Sequence, residues 1–275
     1  MKKIAFILLI TILTFSANAL KSQEYLDFNT SNGEGQKRIL LVPFDPRIYY
    51  NDATAIIAEK EGETHDEIME YFRYQLNLQL YDAMMDSCVI ISLFSDNTRQ
   101  DKEDIDGLYS IISYELVQAM PNALEDAEKE KKGYFARKRE DKEQQRRKDE
   151  IAQYNTKIVD GEIVGKRQPT NDMYLNIVFH QPEVLTEIAN RRDVDYFLFI
   201  NQFDIKGNYG DPYLSGNSKS ERTIKVHFSI YNSQGKLVHG SFGENKMPFD
   251  LADKQEIASL YFPEVIRQIV NNINF

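Results

Sequence analysis

The chain has 275 residues and is acidic, with 33 Lys and Arg against 43 Asp and Glu and a formal net charge of −10. That balance removes the electrostatic basis for binding nucleic acid or an anionic lipid surface. The single cysteine, Cys88, excludes an internal disulfide, so stability has to come from a buried core, which a chain of this length can build.

The chain opens with Lys2 and Lys3, an unbroken run from Ile4 to Phe15, and then Ala17-Asn18-Ala19. A short basic region, an apolar core and small residues at a cleavage position describe a secretory signal peptide over residues 1–19, cut near Ala19 or Ser22. The run is shorter than the roughly 20 apolar residues of a membrane span, and no cysteine follows it to carry a lipid anchor. The expectation is a periplasmic protein without membrane insertion. Cleavage removes two lysines and no acid, leaving the mature chain more acidic still.

Residues 20–36 are polar and bear Gly, Ser and Asn, which fits a loose leader, and residues 37–275 read as one α/β domain. Ile39-Leu40-Leu41-Val42-Pro43-Phe44 is an apolar run of the kind found in a strand covered on both faces. Thr64 and Glu67 have the spacing of a capping box and open a helix over residues 64–85. Ile68, Phe72, Leu76, Leu80 and Ala83 recur along it at helical period. A second strand follows at 88–94, with Cys88 as a small buried apolar residue. Residues 105–120 read as a helix on the stripe Leu108, Ile111, Ile112 and Leu116, ended by Pro121.

Composition then changes: 19 of the 26 residues from 125 to 150 are charged. Pairs such as Glu128/Lys132 and Glu143/Arg147 suit a solvated helix, giving a charged helical insertion at about 122–157. Ile158-Val159, Asp160-Gly161 and Ile163-Val164 mark a hairpin with a two-residue turn. Residues 169–181 are expected to be partly exposed. A helix over 183–191 leads into a strand at 195–200, and strands at 223–231 and 236–242 flank Asn232-Ser233-Gln234-Gly235. An amphipathic helix at about 252–272 closes the chain, with Pro263 expected to kink or divide it. The fold class is α/β: a mixed sheet of about five strands covered by amphipathic helices.

Chemistry is sparse. Pro43-Phe44-Asp45-Pro46 lacks the free backbone N–H groups of a phosphate cradle. His65, His180, His227 and His239 have no metal-ligand spacing, and His227 and His239 read as a cross-strand surface pair. No nucleophile elbow is present. Asp193 and Asp195 stand before a strand, where capping and solvation explain them. Asp204, Asn208 and Asp211 miss the spacing of a calcium loop. No catalytic residue, cofactor or metal is expected.

The sequences "ILLVPF", "LNLQLYDAM", "DVDYFLFINQFDI", "VHFSIYNSQGKLVHGS" and "EIASLYFPEVIRQIVNNI" follow one another in that order. This order resembles the periplasmic α/β module of the TolB amino-terminal domain, the curli secretion-channel subunit and the lipoprotein activators of penicillin-binding proteins, over residues 37–95 and 190–273. The chain departs from that group in lacking a lipobox cysteine, an amphipathic β-hairpin insertion and propeller repeats. The resemblance implies a non-enzymatic adaptor that binds other cell-envelope proteins, with a homo-oligomer possible.

Candidate partner-binding residues lie on the charged arm, at Lys132, Arg139 and Arg146, and on Tyr-bearing loops, at Arg47, Tyr49, Tyr50, Tyr209 and Tyr213. Tyrosines give large contact area at small entropic cost. Two alternatives stay open. One is a small-ligand or glycan-binding protein with a Tyr-lined cleft. The other is a hydrolase with Asp45, Arg47, Asp193 and Asp195 as its site.

Overall fold

A computed structural model describes residues 36–94, 98–120, 157–159, 162–164, 172–208 and 221–273. The proposed signal peptide, the leader as far as residue 35 and the charged arm, with Lys132, Arg139 and Arg146, lie outside the described residues, as do Tyr209, Asp211 and Tyr213.

The centre of the fold is β1 (Arg38–Val42), which pairs in parallel with β3 (Val89–Ser92) on one side and β8 (Tyr196–Asn208) on the other. β9 (Glu221–Asn232) and β10 (Leu237–Pro248) extend the sheet antiparallel, giving the order β10-β9-β8-β1-β3. A two-residue strand, β2 (Tyr50–Asn51), adds parallel to β8 beyond the end of β1. The fold is thus α/β with a mixed sheet, as the sequence predicts.

Alternation along β1 explains its apolar run. Ile39 and Leu41 face one core and Leu40 and Val42 face the other. The first core lies under α1 (Thr54–Glu61), α2 (His65–Met84) and the last helix. The second lies under α3 (Arg99–Ser110), α4 (Glu183–Arg192) and a separate ribbon, β4 (Ile112–Gln118) paired antiparallel with β7 (Met173–Phe179). α3 and α4 are clamped together where the buried Asp101 and Asp104 receive Arg191 and Arg192.

Thr64 and Glu67 form the predicted capping box. Ile68, Phe72, Leu76 and Leu80 are buried, but Ala83 is exposed and Met84 takes its place in the core. β8 runs past Ile200 to Asn208, because a bulge at Asn201 resets its alternation. Leu198 and Ile200 before the bulge, and Phe203 and Ile205 after it, all face the first core. Pro263 divides the closing segment. A turn at Lys254–Glu256 passes through a π-helical stretch, Ile257–Tyr261, into α5 (Phe262–Ile273). The Pro263 nitrogen has no proton to donate. A side chain fills the gap: Gln79 Nε2 donates to the Ala258 carbonyl, five residues before Pro263, at 3.1 Å, and Asn245 Nδ2 ties down the Tyr261 carbonyl at the same distance.

One expectation is corrected. Residues 105–120 are not one helix: α3 stops at Ser110 and β4 follows at once. Ile112-Ser113-Tyr114-Glu115-Leu116 also fits period two, and its pairing with β7 decides between the periods. Residues 173–179, expected to be partly exposed, form β7, which buries Tyr174, Asn176 and Ile177 against the sheet and leaves Met173, Leu175, Val178 and Phe179 partly exposed. Two further strands, β5 (Lys157–Val159) and β6 (Glu162–Val164), pair antiparallel as the predicted hairpin.

Candidate functional site

The exit of β1 is a closed structure. Asp45, 2% exposed, accepts from the Arg47 backbone N–H at 2.9 Å and is gripped by the Arg47 guanidinium. That contact also holds the Arg47 guanidinium above its ordinary pKa. Arg73 donates to the Phe44 carbonyl and to the Tyr109 hydroxyl, each at 2.9 Å, and pairs with Glu70. Tyr109 in turn donates to the Pro43 carbonyl at 2.7 Å. Each polar group here meets another of the same protein, so the loop is a stiffened strand exit.

Of the predicted loop residues, Arg47, Tyr49 and Tyr50 are among the described ones. Tyr49 stacks against both Phe44 and Phe203, and burial pushes its hydroxyl up to about 12. Tyr50, half exposed, lies under the Lys206 ammonium at 5.3 Å. Asp193 and Asp195 sit at the opposite end of β1 from Asp45 and Arg47. There the Asp195 carboxylate accepts from the Arg38 N–H at 2.9 Å and Asp193 ends α4 in the left-handed region. The four groups of the hydrolase alternative are therefore separated by the length of a central strand.

The histidines also correct the sequence reading. His227 stands opposite Phe242 and His239 opposite Ile230, so they are not cross-strand partners. His227 Nδ1 accepts from the Leu175 N–H at 2.8 Å on the ribbon side. His239 packs beside Phe228 on the other face. Burial lowers His227 to about 3 and His239 to about 4, so both are neutral structural groups at pH 7. Cys88 is buried too, and burial lifts its thiol to about 11.

An open concavity lies elsewhere, along the sheet edge. A groove of about 440 Å³ runs between α2 and β3, lined by Tyr74, Asn77, Leu78, Asp82, Ile91 and Phe94 among others. Tyr74 and Leu78 on its wall are 47% and 39% exposed, and Met85, just past the end of α2, is 53% exposed. Across α2 a second groove, of about 490 Å³, continues from Asp82 to Pro263, Arg267 and Val270 on α5. Asn77 is buried at the floor of the first: its Oδ1 accepts from Ser92 Oγ at 2.5 Å, and its Nδ2 meets no acceptor among the described residues. The signal for this surface is in the sequence. Residues 74, 78, 81 and 85 form a second apolar stripe, opposite 68, 72, 76 and 80 at 100° per residue, which is more than a helix needs for one core.

No family model matches the chain, and no curated protein matches it. Among solved structures it is similar to the hypothetical protein CT253 from Chlamydia trachomatis, with a TM-score of 0.35 and 9% identity, covering 87% of this chain and 96% of that one. No described helix is long and apolar enough to cross a membrane.

Proposed function

We propose that this chain is a non-enzymatic adaptor or accessory subunit of a bacterial cell-envelope assembly, exported to the periplasm and acting by protein–protein contact. The observation that carries the proposal is the exposed ridge of Tyr74 and Leu78 on α2 and Met85 at its end, with a groove on either side. Apolar side chains grouped on one helix face, away from both cores, mark an interaction surface more often than an accident of composition. The leading run of residues 4–15 and the resemblance in element order support export and an envelope role.

A small-ligand reading is favoured by one fact, the groove volume, which falls in the range of about 300–1,000 Å³ for ligand sites. The ridge outside the groove weighs against it, since a small molecule would leave those side chains uncovered. Site-specific photo-cross-linking in intact cells separates the two. A cross-linker at position 78 is expected to capture one envelope protein reproducibly, and one at the exposed Glu187 on α4 is expected to capture none. No protein adduct from position 78 would overturn the adaptor and leave the ligand reading.

A further inference from the structure

We infer that the groove beside β3 receives an extended, basic segment of a partner protein, which adds to the sheet as a further strand. The inference rests on the adaptor proposal and gives the chemistry of its partner.

β3 ends the sheet. The Val89 and Leu93 N–H groups donate to the Lys37 and Leu41 carbonyls of β1, at 3.0 and 3.2 Å. Backbone groups alternate along a strand, so those of Ile90 point away from β1, to the outer side. An edge of this kind is a template for another strand unless the protein blunts it. β3 carries no charge and no proline. The groove borders that outer side and is walled by residues from both faces of β3, Ile90 and Ile91, together with Tyr74 and Leu78 of α2. A strand laid there would place alternate side chains against the tyrosine and leucine.

Charge selects the occupant. Among the described residues Asp82 is the only charged side chain lining this groove, and Asp86, also exposed, follows one turn on. The nearby Arg73 is committed to Glu70, Phe44 and Tyr109. A second copy of the chain would bring Asp82 against Asp82 on two molecules of net charge −10. Like charges set close together at an interface disfavour that partner. A segment alternating apolar with Lys or Arg residues meets both demands, main-chain pairing supplying affinity and the alternate side chains specificity.

The probe is a fluorescein-labelled ten-residue peptide of alternating Lys and Val, titrated against the signal-peptide-free chain by fluorescence anisotropy. It is expected to bind. Its Glu/Val counterpart and a Lys/Val peptide N-methylated at its central residues on both edges are expected not to. Asp82→Asn should weaken binding severalfold. Leu78→Asp should weaken it at least tenfold with an unchanged circular dichroism spectrum, since Leu78 is 39% exposed. Equal binding of the Lys/Val and Glu/Val peptides would overturn the charge argument, and binding that survives N-methylation would overturn strand addition. Absence of binding while position 78 still cross-links in cells would sink this inference alone; loss of the cross-link would sink the adaptor with it.

Discussion

His227 shows how one residue sets a condition on the whole chain. Its Nδ1 must be unprotonated to accept the Leu175 N–H, and burial holds its pKa near 3 against an ordinary 6.5, with Lys225 and Lys206 adding repulsion. The folded state therefore refuses a proton that the unfolded chain takes up below about pH 6.5. The contribution is fully present above that pH and is lost as pH falls towards 3. Between pH 6.5 and 5 the loss is about 2 kcal/mol from His227 alone, at 1.36 kcal/mol per pH unit. His239 acts in the same direction. Asp204, raised by burial, opposes both, because its folded form holds a proton more readily than the unfolded chain does. Urea unfolding at pH 7.5 and pH 5 should show a net loss of a few kcal/mol. His227→Gln, whose amide oxygen also accepts a hydrogen bond, should reduce the pH dependence by about half. An unchanged midpoint between the two pH values would show that His227 protonates without cost.

At the scale of elements, what could be read was what is decided locally. β1 is legible because both its faces are apolar, and the start of α2 because Thr64 and Glu67 satisfy each other within one turn. β4 and β7 were not legible, because each is a strand only by virtue of the other, about 60 residues away. Ile112 to Leu116 satisfies two periods, and only the partner chooses. The site follows the same rule. Tyr74, Leu78 and Met85 are visible as a stripe, but the groove also needs β3 at the sheet edge, which is a property of strand order. The packing of ribbon on sheet is tight at one point, where a Cβ on Gly240 would overlap the hydroxyl of Tyr174. Gly240→Ala should destabilise the protein by about 1–3 kcal/mol, the usual cost of overpacking, and Tyr174→Leu in the same chain, which removes the overlapping ring atoms as well as the hydroxyl, should restore part of it. Wild-type stability in Gly240→Ala would mean that β7 can move aside freely.

For the whole molecule, the sheet closes only when β8 reaches β1, some 157 residues later in the chain. The charged segment of residues 125–150 falls inside that closure. Loop entropy grows with the logarithm of length, about 0.6 kcal/mol per doubling. Removing 26 residues from so long a connection changes stability by only a few tenths of a kcal/mol. A 125–150 deletion is expected to fold with its melting temperature nearly unchanged and to fail to join its complex. Cell fractionation with pull-down measures that directly, and normal assembly by the deleted chain would assign partner binding to the α2–β3 face alone.

The ribbon meets the sheet through a polar seam. Asn176 Oδ1 accepts from Tyr174, Ser229 and Tyr231, and Asn201 Nδ2 donates to the Leu175 carbonyl and to Ser229 Oγ. The opposite face is held mainly by apolar packing under α2 and α5. Water can replace seam bonds one for one, but nothing in water replaces an apolar contact. The two sides of this sheet should therefore let go at different free energies, the ribbon peeling away as a unit while the other half stays shut. In native-state hydrogen exchange, amides of Ile112–Gln118 and Met173–Phe179 should form one early-opening group, and those of β1 and the first half of β8 should exchange only on global unfolding.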